Sequence, residues 1–538
     1  MNWIGEGLGL LLPVLLSGGA GIWLVCSSFL EHIRVREKGT EEEKHVPGTG
    51  NKELHFLVGA VLVVSVFLAF AAVWPGAGER GLTLFYLMDD IPVYFRVDAL
   101  GRLFTWITSI IWLAAGFYAF LYMEHEGEEK RFFGFYLLVY AVLLALYFAG
   151  NLITFYFFYE LMTLTAMPLV LHSGSKEAIM AALKYLFYSM CGAYCALFAI
   201  YFLFRYCDTL TFTAGGTLNP AMAAGNSGIL LLAVFLMLIG FGAKAGMFPL
   251  HSWLTAAHPA APAPASAVLS AVIVKGGVLA LIRTVYYIVG PDFIRGTWVQ
   301  TAWMCLTLLT VFMGSMLAYR EKLFKKRLAY STVSQVSYIL FGLSLLTPTG
   351  MTGALLHVIF HAGVKCALFL TAGIFIFRTG KTSADEYKGI GRKMPVVLWC
   401  YTFASLALIG IPPFNGFISK WYLAQGALQS GTGIFRMLGP VVLLLSALLT
   451  AGYLLPVTIK GFLPGEEPAQ TEESEIPELP GGTETPLRTA PAHKSGKGAG
   501  KPDMMSAALL VLTVLTILTG LWPNPLIQYA AKIAAAVM

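Results

Sequence analysis

Charged residues and paired cysteines are scarce in this chain. Only 12% of its 538 residues are charged and 57% are hydrophobic, whereas soluble domains carry roughly 25% charged residues. The mean hydropathy is +0.71. This composition excludes a soluble enzyme, a disordered chain and a nucleic-acid-binding protein. It is typical of a polytopic membrane protein, in which the net charge of +6 reflects topology rather than an anionic partner.

Motifs that bind metals and cofactors are also missing from the sequence. The seven cysteines include no CxxC pair, so the ligand spacing of iron–sulfur, zinc and thioredoxin-like centres is absent. The glycine-rich stretch 496–501 is not a phosphate-binding loop, because Ser495 replaces its first glycine and Pro502 its Ser/Thr. We therefore expect no cofactor, no metal ion and no redox centre in this chain.

Long continuous apolar runs predict an all-α membrane fold. A spanning helix takes about 20 apolar residues, and long runs are not the alternating pattern of a barrel. We predict about fourteen transmembrane helices, at residues 4–30, 54–74, 99–122, 132–149, 151–171, 179–204, 228–257, 265–289, 299–319, 327–346, 350–378, 394–427, 434–460 and 504–523.

Positive charge alternates between the loops that join these segments. When residues at the segment ends are counted with the adjacent loop, the odd-numbered loops carry 23 Lys and Arg residues and the opposite side carries 6. By the positive-inside rule, the odd loops lie in the cytoplasm and both termini lie outside, in the cell (inner) membrane. Residues 461–503 combine acidic and basic clusters with many prolines and glycines, which predicts a disordered cytoplasmic loop.

Ionisable residues inside the spans are the most informative feature of the sequence. A charged side chain in mid-bilayer costs about 2.5–3.5 kcal/mol, so such residues must face one another, water or polar backbone. Near the end of a span a long side chain can instead extend to the interface, which we expect of Arg102 and Arg283. The ionisable residues of interest are Glu160, Lys184, Lys244, Lys275, His357, His361, Lys365 and Lys420.

Prolines interrupt two of the charged segments. Pro249 follows Lys244 in segment 228–257, and Pro412 with Pro413 precedes Lys420 in segment 394–427. The broken helix is the fourth of five spans in each half. Because each half has an odd number of spans, the second half crosses the membrane in the opposite orientation to the first. We therefore predict two inverted five-helix repeats, at 132–289 and 299–460, with helices 7 and 12 broken. Three helices in 1–122 precede them, and one helix in 504–538 follows.

His357, His361 and Lys365 recur every four residues and so share one face of a helix. A lysine beside two histidines disfavours metal binding, because its charge repels a cation. Histidine changes charge near neutral pH, so stepwise proton transfer along this face is one interpretation. Histidines with a purely structural role are the other.

Several strings around these residues resemble a known family. They are FYEL at Glu160, ALKYLFYS at Lys184, GAKAGMFPLHSWLTAAHPAAPAPASAVLSAVIVKGGV across Lys244 and Lys275, KRLAYSTVSQVSYI at 326–339, HVIFHAGVKCALFLTAG at 357–373, and IPPFNGFISKW at 411–421. Over roughly residues 95–460 the chain is similar to the antiporter-like subunits of respiratory complex I, Mrp-type Na⁺/H⁺ antiporters and membrane-bound energy-converting hydrogenases.

This resemblance implies fourteen core helices and a set of proton-transferring residues. By position, these are Glu160 of the fifth helix, Lys184 of the sixth, Lys244 of the seventh, Lys275 of the eighth, His357, His361 and Lys365 of the eleventh, and Lys420 of the twelfth. A lysine at 420 argues against the M-type subunit of complex I, and the lack of a long lateral helix argues against the L-type.

The resemblance implies a proton-translocating subunit of a multisubunit redox-driven ion pump, similar to complex I or an energy-converting hydrogenase. The alternative is a D-like subunit of an Mrp-type antiporter, which would also move Na⁺. Expected partners are other membrane subunits, including sibling antiporter-like ones, and the lipid bilayer, with redox chemistry in the partners. A structural membrane anchor and a stand-alone transporter of an organic solute remain open.

Overall fold

The computed structural model describes residues 3–37, 51–75, 81–88, 91–463 and 503–538. The described residues before the predicted second repeat form α1 (Trp3–Glu37), α2 (Lys52–Ala72), α3 (Ala99–Glu126), α4 (Glu129–Phe148), α5 (Leu152–Val170), α6 (Lys176–Tyr206), α7 (Pro220–Ala223), α8 (Ser227–Lys244), α9 (Ser252–Ala260), α10 (Ala263–Val268), α11 (Val274–Thr284) and α12 (Pro291–Ile294). Two π-helical turns, Leu269–Ile273 and Val285–Val289, make α10 and α11 parts of one continuous span.

The described residues after these form α13 (Trp298–Arg320), α14 (Phe324–Ser344), α15 (Pro348–Thr379), α16 (Ile390–Lys393), α17 (Pro395–Ile409), α18 (Asn415–Gln429), α19 (Phe435–Phe462), α20 (Met504–Leu521) and α21 (Asn524–Val537). A 3₁₀ turn at Ala384–Glu386 precedes α16. The predicted loop 461–503 falls mostly outside the described residues.

Within the described ranges, twelve helices are long and apolar enough to cross a membrane. The prediction of an all-α multi-pass fold is confirmed. The other two predicted segments correspond to α14, whose first turn carries Lys325 and Lys326, and to the pair α17 and α18, each of 15 residues. The inverted relation of the two repeats remains a prediction.

A short β-hairpin adds to the helical fold. Strand β1 (Gly81–Met88) pairs antiparallel with β2 (Ile91–Arg96), with Leu82 opposite Phe95. The sequence analysis did not anticipate it, because each strand is too short to register as a membrane span.

Both predicted helix breaks are present. Helix α8 ends at Lys244 and α9 begins at Ser252, while α17 ends at Ile409 and α18 begins at Asn415. Gly246 (φ +81°) lies in the first break and Gly410 (φ +91°) in the second. Glycine adopts this left-handed backbone without the clash of a Cβ atom, so each helix can end in mid-membrane.

Helix α15 lies at the centre of the bundle, where it packs against α3, α10, α14, α17, α18, α20 and α21. Small residues bring it close to α18. A Cβ atom at Gly353 would lie 2.8 Å from the backbone nitrogen of Leu423, and one at Gly426 would lie 2.7 Å from that of Gly350. The helix of the two histidines therefore touches the helix of Lys420 almost backbone to backbone.

Candidate functional site

Lys244 sits at the end of the half-helix α8 and is fully buried. Its Nζ donates hydrogen bonds to Thr163 Oγ1 at 3.0 Å, Tyr185 Oη at 2.6 Å and Ser189 Oγ at 3.2 Å. It also lies 4.2 Å from the centre of the Tyr185 ring. A charged lysine has three N–H donors, so three hydroxyl groups from α5 and α6 satisfy this ammonium.

Glu160 lies on α5, one helical turn before Thr163, and is half-buried. In the part of the chain that the structure describes, no ion pair within 4.0 Å joins Glu160 to Lys244. The Oε1 atom of Glu160 is buried and accepts no hydrogen bond from any described residue. Glu160 and Lys244 are thus not in direct contact, and the two groups interact only electrostatically, through space.

Lys184 lies on α6 and faces a separate space. It lines a cavity of about 1450 Å³ together with Glu126, Glu177, Ser175 and Lys326. The structure therefore places Lys184 at a cavity whose wall includes several charged side chains, rather than among the hydroxyl groups around Lys244.

Lys275 joins the two predicted repeats. Its Nζ donates to the carbonyl oxygen of Ser270 at 2.6 Å and lies 2.7 Å from His361 Nδ1. The π-helical turn Leu269–Ile273 precedes Lys275, and such a turn departs from the regular α-helical hydrogen-bond ladder. A side chain of the first half thereby contacts the central helix of the second half.

The two predicted histidines continue from this contact. The ring centres of His361 and His357 are 5.8 Å apart with an angle of 26° between the rings. His357 Nδ1 lies 2.9 Å from Ser419 Oγ, and Ser419 precedes Lys420 in α18. We call Lys275, His361, His357, Ser419 and Lys420 the relay residues.

Lys420 closes the series at the second helix break. Its Nζ donates to the carbonyl oxygens of Leu408 at 2.7 Å and Ile409 at 2.8 Å. These carbonyls belong to the last turn of α17, where no N–H group of the helix is available to donate to them. The Nζ atom also lies 5.1 Å from the centre of the Tyr338 ring.

Lys365 lies beside the relay residues rather than between them. Its Nζ donates to the carbonyl oxygen of Leu328 at 3.0 Å and to Ser331 Oγ at 2.7 Å. Tyr453 Oη donates to the same Ser331 hydroxyl at 2.8 Å. His357, His361 and Lys365 are predicted to act along one face of a helix. Lys275 contacts this face at its middle residue, His361. Lys365 therefore forms a branch toward α14 and α19.

The expectation that Arg283 extends to the interface is wrong. Its side chain is buried and forms a bidentate ion pair with Asp98, in which the NH2 group donates to Oδ1 at 2.8 Å. The guanidinium also lies 4.7 Å and 4.8 Å from the ring centres of Phe212 and Tyr287. Asp98 caps the start of α3, and only tertiary packing brings its carboxylate to Arg283.

Sequence reasoning also passed over His258. This residue is fully buried on α9 and stacks on Phe369 with 4.6 Å between ring centres. Neither of its ring nitrogens has a hydrogen-bond partner among the described residues. His258 lies within the sequence string across Lys244 and Lys275 that resembles the family. That position is the one feature of the sequence that could have pointed to it. The residues that the structure describes contain no group of three or more His, Cys, Asp or Glu side chains arranged to hold a metal ion.

The family model for the transmembrane region of NADH:quinone oxidoreductase and Mrp antiporter subunits matches residues 149–446. The chain belongs to this family. The match includes every predicted site residue, from Glu160 to Lys420.

Relatives from both branches of the family are similar over most of their length. NADH-quinone oxidoreductase subunit N of Desulforudis audaxviator is 32% identical over 444 residues, which cover 81% of this chain and 84% of the relative. The D-type subunit of the Na⁺/H⁺ antiporter of Bacillus subtilis is 29% identical over 486 residues, or 90% of each chain.

A solved structure of the family has the same fold. A chain of the Mrp complex from Dietzia sp. DQ12-45-1b superposes with a TM-score of 0.75, 23% identity and coverage of 98% of this chain and 97% of that one. This likeness supports the fold described above for this chain.

Proposed function

We propose that this chain is a proton-translocating membrane subunit of a multisubunit redox-driven ion pump, similar to complex I or an energy-converting hydrogenase. Its family membership and its likeness to an NADH-quinone oxidoreductase subunit support this function. The single observation that carries the proposal is the contact of Lys275 with His361, 2.7 Å apart inside a membrane bundle. It joins a donor that can lose a proton to an acceptor that can pass one on.

The relay residues transfer protons by ordinary acid–base exchange. The Lys275 ammonium gives a proton to Nδ1 of His361, and the resulting imidazolium releases a different proton from Nε2. His357 passes a proton one turn along α15 with its ring used the other way round: it takes a proton at Nε2 and releases one from Nδ1 to the Ser419 hydroxyl. Ser419 gives up its own proton in turn, and a neutral Lys420 receives it at the second helix break. Loss of a proton leaves Lys275 neutral until another proton reaches it from the first half.

The first half of the chain supplies the proton that Lys275 needs, and Lys244 controls this supply. A change of charge or hydration near Glu160 alters the electrostatic potential at the Lys244 ammonium, because the two groups interact through space in a low-dielectric interior. Lys184 takes up protons from the cavity that it lines with other charged side chains. Energy therefore arrives as a change of charge at one end of the chain.

The surroundings of the chain follow from this function. We propose a location in the cell (inner) membrane with both termini outside, and a two-repeat organisation at 132–289 and 299–460. The partners are membrane subunits of one complex, including sibling antiporter-like subunits. Redox centres and their donors belong to those partners.

Lys244→Ala tests the proposal. The tagged complex, reconstituted in vesicles with a pH-sensitive dye and driven with NADH or reduced ferredoxin, should lose this chain's proton pumping although the complex assembles. The matched control is Lys460→Ala, which removes a surface lysine paired with Asp385 and should pump normally. Pumping by Lys244→Ala at the wild-type rate would refute the proposal.

The D-like subunit of an Mrp-type antiporter is the second candidate, and 29% identity over 90% of such a subunit favours it. The same vesicles decide between the two functions. An imposed pH gradient that collapses on addition of NaCl, with no electron donor present, identifies the antiporter. Copurification with redox subunits and a gradient that forms only with the donor identify the pump.

A further inference from the structure

Helices α14 and α15 form an antiparallel pair whose side chains face each other in register. Three residues, 345–347, connect the two helices. At one end of the pair, Ser331 accepts a hydrogen bond from Lys365 at 2.7 Å. At the other end, the Tyr338 ring stacks on His357 with 5.5 Å between ring centres.

The register of these two contacts places Gln335 opposite His361. Gln335 lies four residues after Ser331 and three before Tyr338, so it shares their face of α14. His361 lies midway between Lys365 and His357 on the facing side of α15.

The polar atoms of this middle pair lack protein partners. Gln335 is fully buried, yet its Oε1 and Nε2 atoms form no hydrogen bond with any residue in the described ranges. The Nε2 atoms of His361 and His357 are likewise buried and unbonded within that part of the chain. A buried polar group left unsatisfied costs about 1–3 kcal/mol, and a bound water commonly removes that cost.

We propose that Gln335 is a positioning residue that holds water between α14 and α15, against Nε2 of His361. This inference rests on the proposed function, because the water receives the proton that His361 releases. An amide both donates and accepts hydrogen bonds, so it can orient water toward either histidine. An amide also does not titrate in the physiological range, so it cannot retain the proton.

The proton balance of the step is complete. Lys275 Nζ loses one proton to Nδ1 of His361, and Nε2 of His361 loses one to the water. The water passes one of its own protons to Nε2 of His357, which returns water to its starting state and leaves His361 neutral. No oxidant or reductant takes part.

Gln335→Leu tests the inference in the intact complex, because leucine fills a similar volume without binding water. We expect proton translocation to slow at least about tenfold, since a misplaced reacting group commonly costs up to a hundredfold. Gln335→Asn keeps the amide but sets it back by one methylene group, so its rate should lie between those of Gln335→Leu and the wild type. Ser337→Ala is the matched control: this hydroxyl is also buried and unbonded among the described residues, but it lies on another face of α14, and pumping should be unchanged.

A cryo-EM map of the wild-type complex that resolves water gives a second readout, which does not depend on pumping. We expect density within hydrogen-bond distance of the Gln335 amide and His361 Nε2, and its loss in Gln335→Leu. A direct bond between Gln335 and His361, or wild-type pumping by Gln335→Leu, would overturn the inference. Failure of the proposed function can be distinguished from failure of this inference, because Lys244→Ala would pump normally only if the proposed function were wrong.

Discussion

At the scale of single residues, the lysines inside the bundle differ in what satisfies their ammonium groups. Three hydroxyls surround Lys244, and two carbonyls at a helix end surround Lys420. Lys275 contacts an imidazole. Hydroxyl and carbonyl groups can hold the charge, whereas an imidazole can accept a proton and release another. This difference is why we propose that proton transfer takes place at the Lys275–His361 contact.

A residue outside the spans makes the stability of the protein depend on pH. Burial, followed by the nearby Arg131, lowers the pKa of His172 to about 4, against a hydrogen bond with the Gly127 carbonyl that raises it. Between pH 6.5 and 4 the unfolded chain protonates this histidine and the native chain does not. The free energy of unfolding therefore falls as the pH drops through that window, by up to about 3 kcal/mol.

Thermal unfolding of the purified protein at pH 7.5, 6.0 and 4.5 measures this effect. The melting temperature of the wild type should fall across the series. His172→Gln cannot titrate at this position and should show a shallower dependence. An identical pH dependence in both proteins would show that His172 does not contribute.

At the scale of helices, the two breaks place lysines where free carbonyls or hydroxyl clusters can satisfy them. The second break depends on Gly410, whose φ of +91° disfavours any residue with a Cβ atom. A Cβ there would also lie 2.9 Å from Cδ of Lys420. Substitution at this glycine therefore forces a shift of the lysine side chain that donates to the carbonyls of Leu408 and Ile409.

Gly410→Ala and Gly431→Ala form a matched pair that tests this dependence. Gly431 also has a positive φ, +64°, but nothing lies within 4 Å of its would-be Cβ atom. Each variant should lose roughly 1–2 kcal/mol of stability from the left-handed backbone, as measured by thermal unfolding. Proton translocation should drop only in Gly410→Ala, and equal rates in the two variants would contradict the role of this break.

The sequence predicts these elements well because the signals are local. Apolar run length marks the spans, and prolines after Lys244 and before Lys420 mark both breaks. The contact between Lys275 and His361 joins residues 86 positions apart, and the Asp98–Arg283 ion pair joins residues 185 apart. Such contacts depend on how helices pack, so the sequence indicated that these lysines and histidines were special but not which of them would meet.

Lys365 also shows that the sequence does not indicate contact partners, even for residues on a single helix. Spacing correctly places it on the face of His357 and His361, but its partner is Ser331 on a neighbouring helix. The π-helical turn before Lys275 likewise has no marker in the apolar pattern, and it offers the carbonyl of Ser270 to that lysine. Periodicity thus predicts a face, while packing decides the order of contacts along it.

At the scale of the whole molecule, the relay residues run from the first predicted repeat to the second through the central helix α15. Helices from the start and the end of the chain, α3, α20 and α21, also pack on α15. Tyr529 of α21 donates a hydrogen bond to the carbonyl of Ala99 at the start of α3. Helix α3 also packs on α10, so it contacts both of the halves that Lys275 and His361 join.

We propose that protons cross between the halves at the Lys275–His361 contact. The most direct test is the number of protons translocated per electron pair in His361→Phe. Phenylalanine keeps the ring but removes the proton acceptor. Tyr401→Phe, which removes a buried hydroxyl bonded to the Leu454 carbonyl, is the control. We expect His361→Phe to lower the stoichiometry to that of Lys244→Ala while electron transfer continues, and Tyr401→Phe to match the wild type. A wild-type stoichiometry in His361→Phe would contradict proton transfer at this contact.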